Sequence, residues 1–299
     1  MKVGILGLGN MGAGMASTLL KKSFDVYGFD LNPAARHKAT ENGIKTTQNL
    51  SELLSQIEVL ILSLPKAEHV EAVCLGENGV LTHAISDLIV IDTTTSTPET
   101  SRKVAQALQQ KGIQFIDAPV SGGPIGAATG TMTMVVGADE TVFQQVQPIL
   151  QAMSKTQVHV GDVGSGNVVK IANNLLAAAH LITTAEAVSL AHHAGVSPEK
   201  LLEGINAGSG RSAVSEVSFP KWILNQRYDS GFTMGLMRKD VGLAQSLADQ
   251  LDLNLPLSQQ IIQMWQDSKQ LIADSEDFNC IVKQTDAALF SHQENENDQ

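Results

Sequence analysis

The stretch Gly7-Leu8-Gly9-Asn10-Met11-Gly12 follows directly on the apolar run Val3 to Leu6 and opens the apolar-periodic segment Met11 to Lys22. A strand, a Gly-x-Gly-x-x-Gly turn and a helix, in that order, make a cradle for a dinucleotide. Gly7 permits the tight turn, Gly9 lets the backbone approach a pyrophosphate, and Gly12 lets the helix pack on the strand. The start of the helix, with Asn10 and Met11 in its first turn, offers N–H groups and partial positive charge to the phosphates. An acidic residue arrives at the expected distance. Asp30 ends the second strand-like run, Asp25 to Asp30, 18 positions after Gly12. A carboxylate there accepts both ribose hydroxyls and repels a 2′-phosphate, which favours NAD over NADP. Arg36, further along, is either a solvated helix charge or the residue that could pair such a phosphate.

Outward from the cradle, strand and helix signals alternate. Asn32-Pro33 starts a helix with a capping residue before proline. Glu58 to Leu64, Leu88 to Asp92, Gln114 to Pro119 and Thr131 to Val136 read as further strands, and a helix begins near Pro98. Strands separated by helices of this length imply an α/β fold with a parallel, doubly wound, Rossmann-type sheet. The pattern changes around Gly161 to Gly166. Asn167 to Ala194 reads as one long helix, apolar on most sides, and a helix apolar all round is expected to be buried. It is read as a spine between domains or between subunits, and so as a sign of a homodimer or homotetramer. The remainder shows helical patterns and no convincing strand. The expected division is a dinucleotide-binding domain over 1–163, an all-helical substrate or oligomerisation domain over 164–291, and a polar, disordered tail over 292–299.

A chain of 299 residues with 43% hydrophobic content has room for two ordinary cores. The formal net charge of −11 argues against non-specific binding to nucleic acid or to anionic membranes. Glycines follow the first short apolar run where a signal peptide needs an unbroken one, and no apolar stretch is read as a membrane span of roughly 20 residues. Cys74 and Cys280 are isolated, which points to a reduced, cytoplasmic protein. His192-His193 is the adjacent histidine pair, and neighbouring helical residues point apart, so no metal site is expected.

Two polar segments stand out against this frame. Asp117-Ala118-Pro119-Val120-Ser121-Gly122-Gly123-Pro124 follows the fifth strand. The Ser121 hydroxyl and the N–H groups of Gly122 and Gly123 could hold a carboxylate without a net charge; the alternative is a flexible connector. Lys170 and Asn174 stand i, i+4 on the long helix and share a face, with Asn173 partly on it. Buried amines and amides must be satisfied. Either they pair with backbone of the other domain, or Lys170 exchanges the proton of a substrate hydroxyl while Asn174 orients the oxygen. Burial and a nearby positive ring would lower the lysine pKa toward the working range. Leu64-Pro65 and Thr93-Thr94-Thr95 lie at the carboxyl edge of the sheet, where ligands bind in open α/β folds.

On these motifs the chain resembles the β-hydroxyacid dehydrogenase family, which includes 3-hydroxyisobutyrate dehydrogenases, tartronate semialdehyde reductases and threonate dehydrogenases. The Gly-x-Gly-x-Met-Gly start matches Gly7 to Gly12. The family's Asp-x-Pro-Val-Ser-Gly-Gly loop matches Asp117 to Gly123, and its Gly-x-x-x-Lys-x-x-Asn-Asn matches Gly166 to Asn174. Its late Lys-Asp matches Lys239-Asp240. The resemblance implies catalysis by Lys170 with Asn174, substrate contacts at Ser121, Gly122, Gly123, Asn174 and Lys239, and nicotinamide-side contacts at Leu64, Pro65, Thr95 and Lys239. The expected activity is NAD-dependent hydride transfer on a small 3-hydroxy acid or its semialdehyde, with substrate in a cleft between domains. The alternatives are an NADPH-dependent reductase of glyoxylate or succinic semialdehyde and a non-catalytic dinucleotide-binding module. Lys66-Ala67-Glu68-His69 and Ser209-Gly210-Arg211-Ser212 depart from several members, and Arg211 is a candidate partner for a carboxylate or else a surface arginine.

Overall fold

A computed structural model describes residues 1–84 and 87–291, so the tail expected over 292–299 lies outside the described residues. The chain divides into two compact units, and the division falls after Lys170, within the sequence of the long helix. The sequence reading placed this boundary at 163/164. Lys170 therefore belongs to the first unit and Asn174 to the second.

The first unit runs β1 (Lys2–Leu6), α1 (Asn10–Lys21), β2 (Asp25–Phe29), α2 (Pro33–Glu41), β3 (Lys45–Thr46), α3 (Leu50–Leu54), β4 (Val59–Leu62), α4 (Ala67–Leu75), α5 (Val80–His83), β5 (Ile89–Asp92) and α6 (Pro98–Gln109). It continues with β6 (Gln114–Asp117), β7 (Val120–Ser121), α7 (Gly123–Thr129), β8 (Met132–Gly137), α8 (Glu140–Met153), β9 (Ser154–Gly161) and the start of α9 (Ser165–His193). The sheet order is β3-β2-β1-β4-β5-β6-β8-β7, with β9 also on β8. From β3 to β6 every pairing is parallel. The expected parallel sheet holds over this stretch. Beyond it β8 runs antiparallel to β6 and to β7, and β9 runs parallel to β8.

Both faces of the parallel part are covered, which is why its strands read as unbroken apolar runs. Successive side chains point to opposite faces. Val3, Ile5, Ile61, Ile91 and Ile116 pack with Met15, Leu19, Val146 and Ile149 on one side. Leu6, Leu60, Leu62, Val90 and Phe115 pack with Leu53, Val70, Val104 and Leu108 on the other. The registers align the strand ends: Leu6 pairs with Phe29 and Leu62, Leu62 with Asp92, and Asp92 with Asp117. The segments that leave these ends therefore emerge side by side along one edge.

The second unit holds the rest of α9, then α10 (Pro198–Ala207), a π-helix over Val214–Ile223, α11 (Met234–Gln250), α12 (Pro256–Asp267), two 3₁₀ turns and α13 (Ala287–Phe290). Among its described residues the one β feature is an isolated bridge between Thr233 and Asp277. Its core gathers Ile171, Leu181, Val188, Phe219, Ile223, Val241 and Trp265. The Trp265 indole N–H donates to the Ala178 carbonyl at 3.2 Å. Two expectations about α9 need correction. By length and composition this helix is apolar enough to cross a membrane, although none was expected. It is also not buried all round, because Leu176 and Leu190 are 58% and 75% exposed. Ile171, Ala178, Leu181, Ile182, Ala185 and Val188 make its buried face. Both cysteines are buried and unpaired, and burial pushes the Cys280 thiol up to about 11.

Candidate active site

The glycine turn has the geometry its spacing implies. Gly7 adopts φ +95°, a conformation costly for any other residue, and a Cβ on it would meet the Ser63 carbonyl. A Cβ on Gly12 would collide with the Gly7 carbonyl. Gly9 differs: a Cβ there meets nothing within 4 Å. The protein itself does not require glycine at position 9, so the open space before it suits a ligand that must touch backbone. Gly9 is the cap residue of α1, no side chain caps that helix, and its first turn has no acidic residue. Its leading N–H groups are thus available to an anion.

Asp30 leaves β2 beside this turn. Its Oδ2 accepts from the Leu8 N–H at 2.7 Å and its Oδ1 from the Asn32 N–H at 2.8 Å. These bonds orient the carboxylate while each oxygen keeps a lone pair for a further donor. Arg36 is not a freely solvated helix charge. Its Nη1 donates to the carbonyls of Asp30 at 2.6 Å and Leu31 at 3.3 Å, and the guanidinium lies 5.7 Å from the Phe29 ring centre.

Further along the edge, the three threonines divide their work. The Thr93 hydroxyl donates to the Leu62 carbonyl at 2.6 Å, and Thr94 Oγ1 accepts from the Leu64 N–H at 3.1 Å. Both are buried and fix the exit of β4, which carries the exposed Pro65, while Thr95 is half-buried.

After β6 the chain reaches Ser121, then Gly122 at φ +123° and Gly123 at φ +60°. Gly122 is exposed. The segment after Ser121 is not a loose connector, since Gly123 begins α7. The buried Lys170, 8% exposed, donates from Nζ to Ser121 Oγ at 2.9 Å. The first unit thus brings together the glycine turn, Asp30, Thr95, Ser121 and Lys170. An amine held against a hydroxyl at the carboxyl edge of a dinucleotide-type sheet can pass a proton to or from an oxygen nearby.

In the second unit, Asn174 Nδ2 donates to Asp240 Oδ2 at 2.6 Å, and Asn173 Nδ2 donates to Asn174 Oδ1 at 3.1 Å. Lys239 Nζ lies 3.2 Å from Asp240 Oδ1. Arg238, the residue before this pair, is buried against Ser268, Asp274 and the carbonyls of Trp265 and Ile272, and it anchors α11 at that point. The Arg211 side chain is 63% exposed, with its Nε 3.8 Å from Glu216 Oε1.

Four residues in these arrangements have no role assigned from the sequence. Asp240 fixes the Asn174 amide and Arg238 anchors the turn beside it. Asp117 is fully buried and accepts from the N–H groups of Gly164 at 2.6 Å and Asn167 at 2.7 Å. Asn167 is equally buried and bonded to Ser96 and Ser101. A signal existed for Asp117: a charge that closes the apolar strand Phe115-Ile116 must be compensated where it is buried.

Residues 2–161 match the family model described as the NAD binding domain of 6-phosphogluconate dehydrogenase. Residues 164–285 match the NAD-binding model of NADP-dependent 3-hydroxyisobutyrate dehydrogenase. The chain is 37% identical to a 2-(hydroxymethyl)glutarate dehydrogenase of Eubacterium barkeri over 95% of this chain and 94% of that protein. It is 38% identical to a 3-hydroxyisobutyrate dehydrogenase of Pseudomonas aeruginosa over 85% and 88%. The solved structure of Mycobacterium tuberculosis 3-hydroxyisobutyrate dehydrogenase with L-serine superposes with a TM-score of 0.88 at 30% identity, covering 95% of this chain and 98% of that one. With a Gly-x-Gly-x-x-Gly cradle shaped for a dinucleotide and relatives that span nearly its whole length, the chain belongs to the β-hydroxyacid dehydrogenase family of NAD-binding oxidoreductases, which transfer hydride between nicotinamide and small hydroxy acids.

Proposed function

We propose that the protein oxidises an acid of the form HO–CH₂–CHR–COO⁻ to its semialdehyde, or reduces the semialdehyde, with NAD as partner and Lys170 as general acid and base. The observation that carries this is the Lys170 amine, buried and held 2.9 Å from Ser121 in the unit that bears the glycine cradle. Support for the substrate class comes from the relatives. 2-(Hydroxymethyl)glutarate, 3-hydroxyisobutyrate and L-serine share a primary hydroxyl on the carbon β to a carboxylate, and differ in R.

Gly7, Gly9, Asn10, Met11 and Gly12 would hold the pyrophosphate, Asp30 the adenosine ribose, and Leu64, Pro65 and Thr95 the nicotinamide end, with Lys239 a further candidate contact. Bound nicotinamide supplies the hydride acceptor. In the oxidative direction the neutral Lys170 amine takes the hydroxyl proton as the C–H pair of electrons leaves the same carbon, so that the carbonyl forms without an alkoxide. In the reductive direction the ammonium returns that proton. Ser121, Gly122 and Gly123 hold the substrate carboxylate, and Asn174, fixed by Asp240, orients the reacting oxygen. The preference for NAD rests on Asp30, whose oriented charge opposes a 2′-phosphate, and on Arg36, whose guanidinium is already bonded to backbone carbonyls. Leu176, Thr183 and Leu190 form an exposed stripe at seven-residue spacing on α9, which supports a homodimer or homotetramer. Two buried, unpaired cysteines support a cytoplasmic setting.

Initial rates with 3-hydroxyisobutyrate, L-serine and 2-(hydroxymethyl)glutarate, each with NAD and NADP, test the proposal. Turnover of at least one acid with a higher kcat/KM for NAD is expected. Absence of turnover with every acid, or a preference for NADP, contradicts it.

A further inference from the structure

The helix that carries Lys170 begins with an unusual anchorage. The first four N–H groups of any helix lack partners within it, and α9 has no acidic residue in its first turn. The negative charge comes instead from β6. Asp117 spans the helix start, with Oδ1 on the Gly164 N–H and Oδ2 on the Asn167 N–H. A second tie runs the other way. Asn167 Oδ1 accepts from the Ser96 N–H at 2.8 Å, and its Nδ2 donates to Ser101 Oγ at 3.1 Å. Ser96 directly follows Thr95, and Asp117 lies four residues before Ser121. Gly166 lets the helix sit against the strand ends, because a Cβ there would lie 2.7 Å from the carbonyl oxygens of Asp117 and Val135. One helical turn later comes Lys170, on Ser121. The same two strand exits that present Thr95 and Ser121 therefore hold the first turn of the lysine's helix.

We propose that Asp117 and Asn167 are positioning residues: they lock the first turn of α9 to the exits of β5 and β6, and so hold the Lys170 amine in register with Ser121. This rests on the role of Lys170 proposed above. Asp117 is kept for this purpose at some cost, since burial opposes its charge and the two N–H bonds recover only part of the loss. A side chain of similar size with an amide would accept one N–H and present a donor to the other.

The test is a double-mutant cycle read by single-turnover hydride transfer with 3-hydroxyisobutyrate and NAD, alongside NADH affinity measured by fluorescence. Asn167→Ala is expected to slow transfer about 10- to 100-fold, the scale of a small misplacement of a catalytic group, while NADH affinity stays within about threefold. Asp117→Asn is expected to behave alike. In a Lys170→Ala background, Asn167→Ala should slow the residual transfer by less than about twofold, because there is no amine left to misplace. A role limited to stability would lower both backgrounds equally, and that outcome, or a wild-type rate for Asn167→Ala, overturns the proposal. If Asn167→Ala does not fold, Ser101→Ala removes one partner of the Asn167 amide and carries the same cycle. It should give a smaller loss, present with Lys170 and absent without it, and a wild-type rate there overturns the proposal. Failure of the Lys170 role itself shows separately, as a Lys170→Ala rate near that of the wild type.

Discussion

Asp30 directly follows one strand of the sheet and Asp117 ends another, yet one was legible as a functional residue and the other was not. Asp30 stands at a fixed distance from a glycine pattern, and its task depends on position alone. Asp117 acts on backbone N–H groups nearly fifty residues away, a relation that only the folded chain displays. Each supports a distinct expectation. Asp30→Ser removes the charge that opposes a 2′-phosphate, so the ratio of kcat/KM for NADP over NAD should rise; an unchanged ratio would move the determinant elsewhere. Asp117 titrates near pH 6 in the folded chain, raised from 3.8 by burial, with the N–H groups of Gly164 and Asn167 and the charge of Arg102 acting against that rise. The folded state therefore binds this proton more tightly than the unfolded state. The sign follows: its contribution to stability is fully present below about pH 3.8 and is lost as pH rises through about 6. The whole span is worth on the order of 3 kcal/mol. Denaturant titrations should show Asp117→Asn gaining stability relative to the wild type as pH rises across that window, and a difference independent of pH would contradict the assignment.

At the scale of elements, the glycine turn separates two demands that the sequence pattern merges. Gly12 is required by the fold, since its α1 backbone packs against Gly7, whereas Gly9 faces open space. Gly12→Ala should lower Tm by several degrees. Gly9→Ala should leave Tm within about one degree and weaken NAD binding at least tenfold. A Gly9→Ala protein with wild-type affinity would mean that no ligand approaches that backbone. The elements that carry the cradle were readable because buried parallel strands are continuous apolar runs bounded by turns. β9 was not, because Ser154 to Gly161 mixes polar and apolar residues on a half-exposed strand. β7 has only two residues, too few for any periodicity. The long helix was read from its apolar content, but content alone could not show which face the second core covers.

For the whole molecule, a Rossmann-type part followed by a mostly helical one was legible from the change of pattern near Gly161, while the division of the chain after Lys170 falls inside a helix that no composition shift marks. The exposed stripe on that helix gives a test at this scale. Light scattering should give the mass of the proposed homodimer or homotetramer for the wild type and that of a single chain for Leu176→Glu with Leu190→Glu; a single-chain mass for the wild type, or an unchanged mass for the variant, contradicts the proposal. Turnover in the proposed mechanism reduces to one amine. Single-turnover hydride transfer by Lys170→Ala, with NADH affinity measured on the same sample, addresses it directly. The rate should fall by about 10²- to 10⁴-fold, the usual worth of general acid–base catalysis, with NADH affinity close to that of the wild type. A variant that transfers hydride at more than a tenth of the wild-type rate would contradict it.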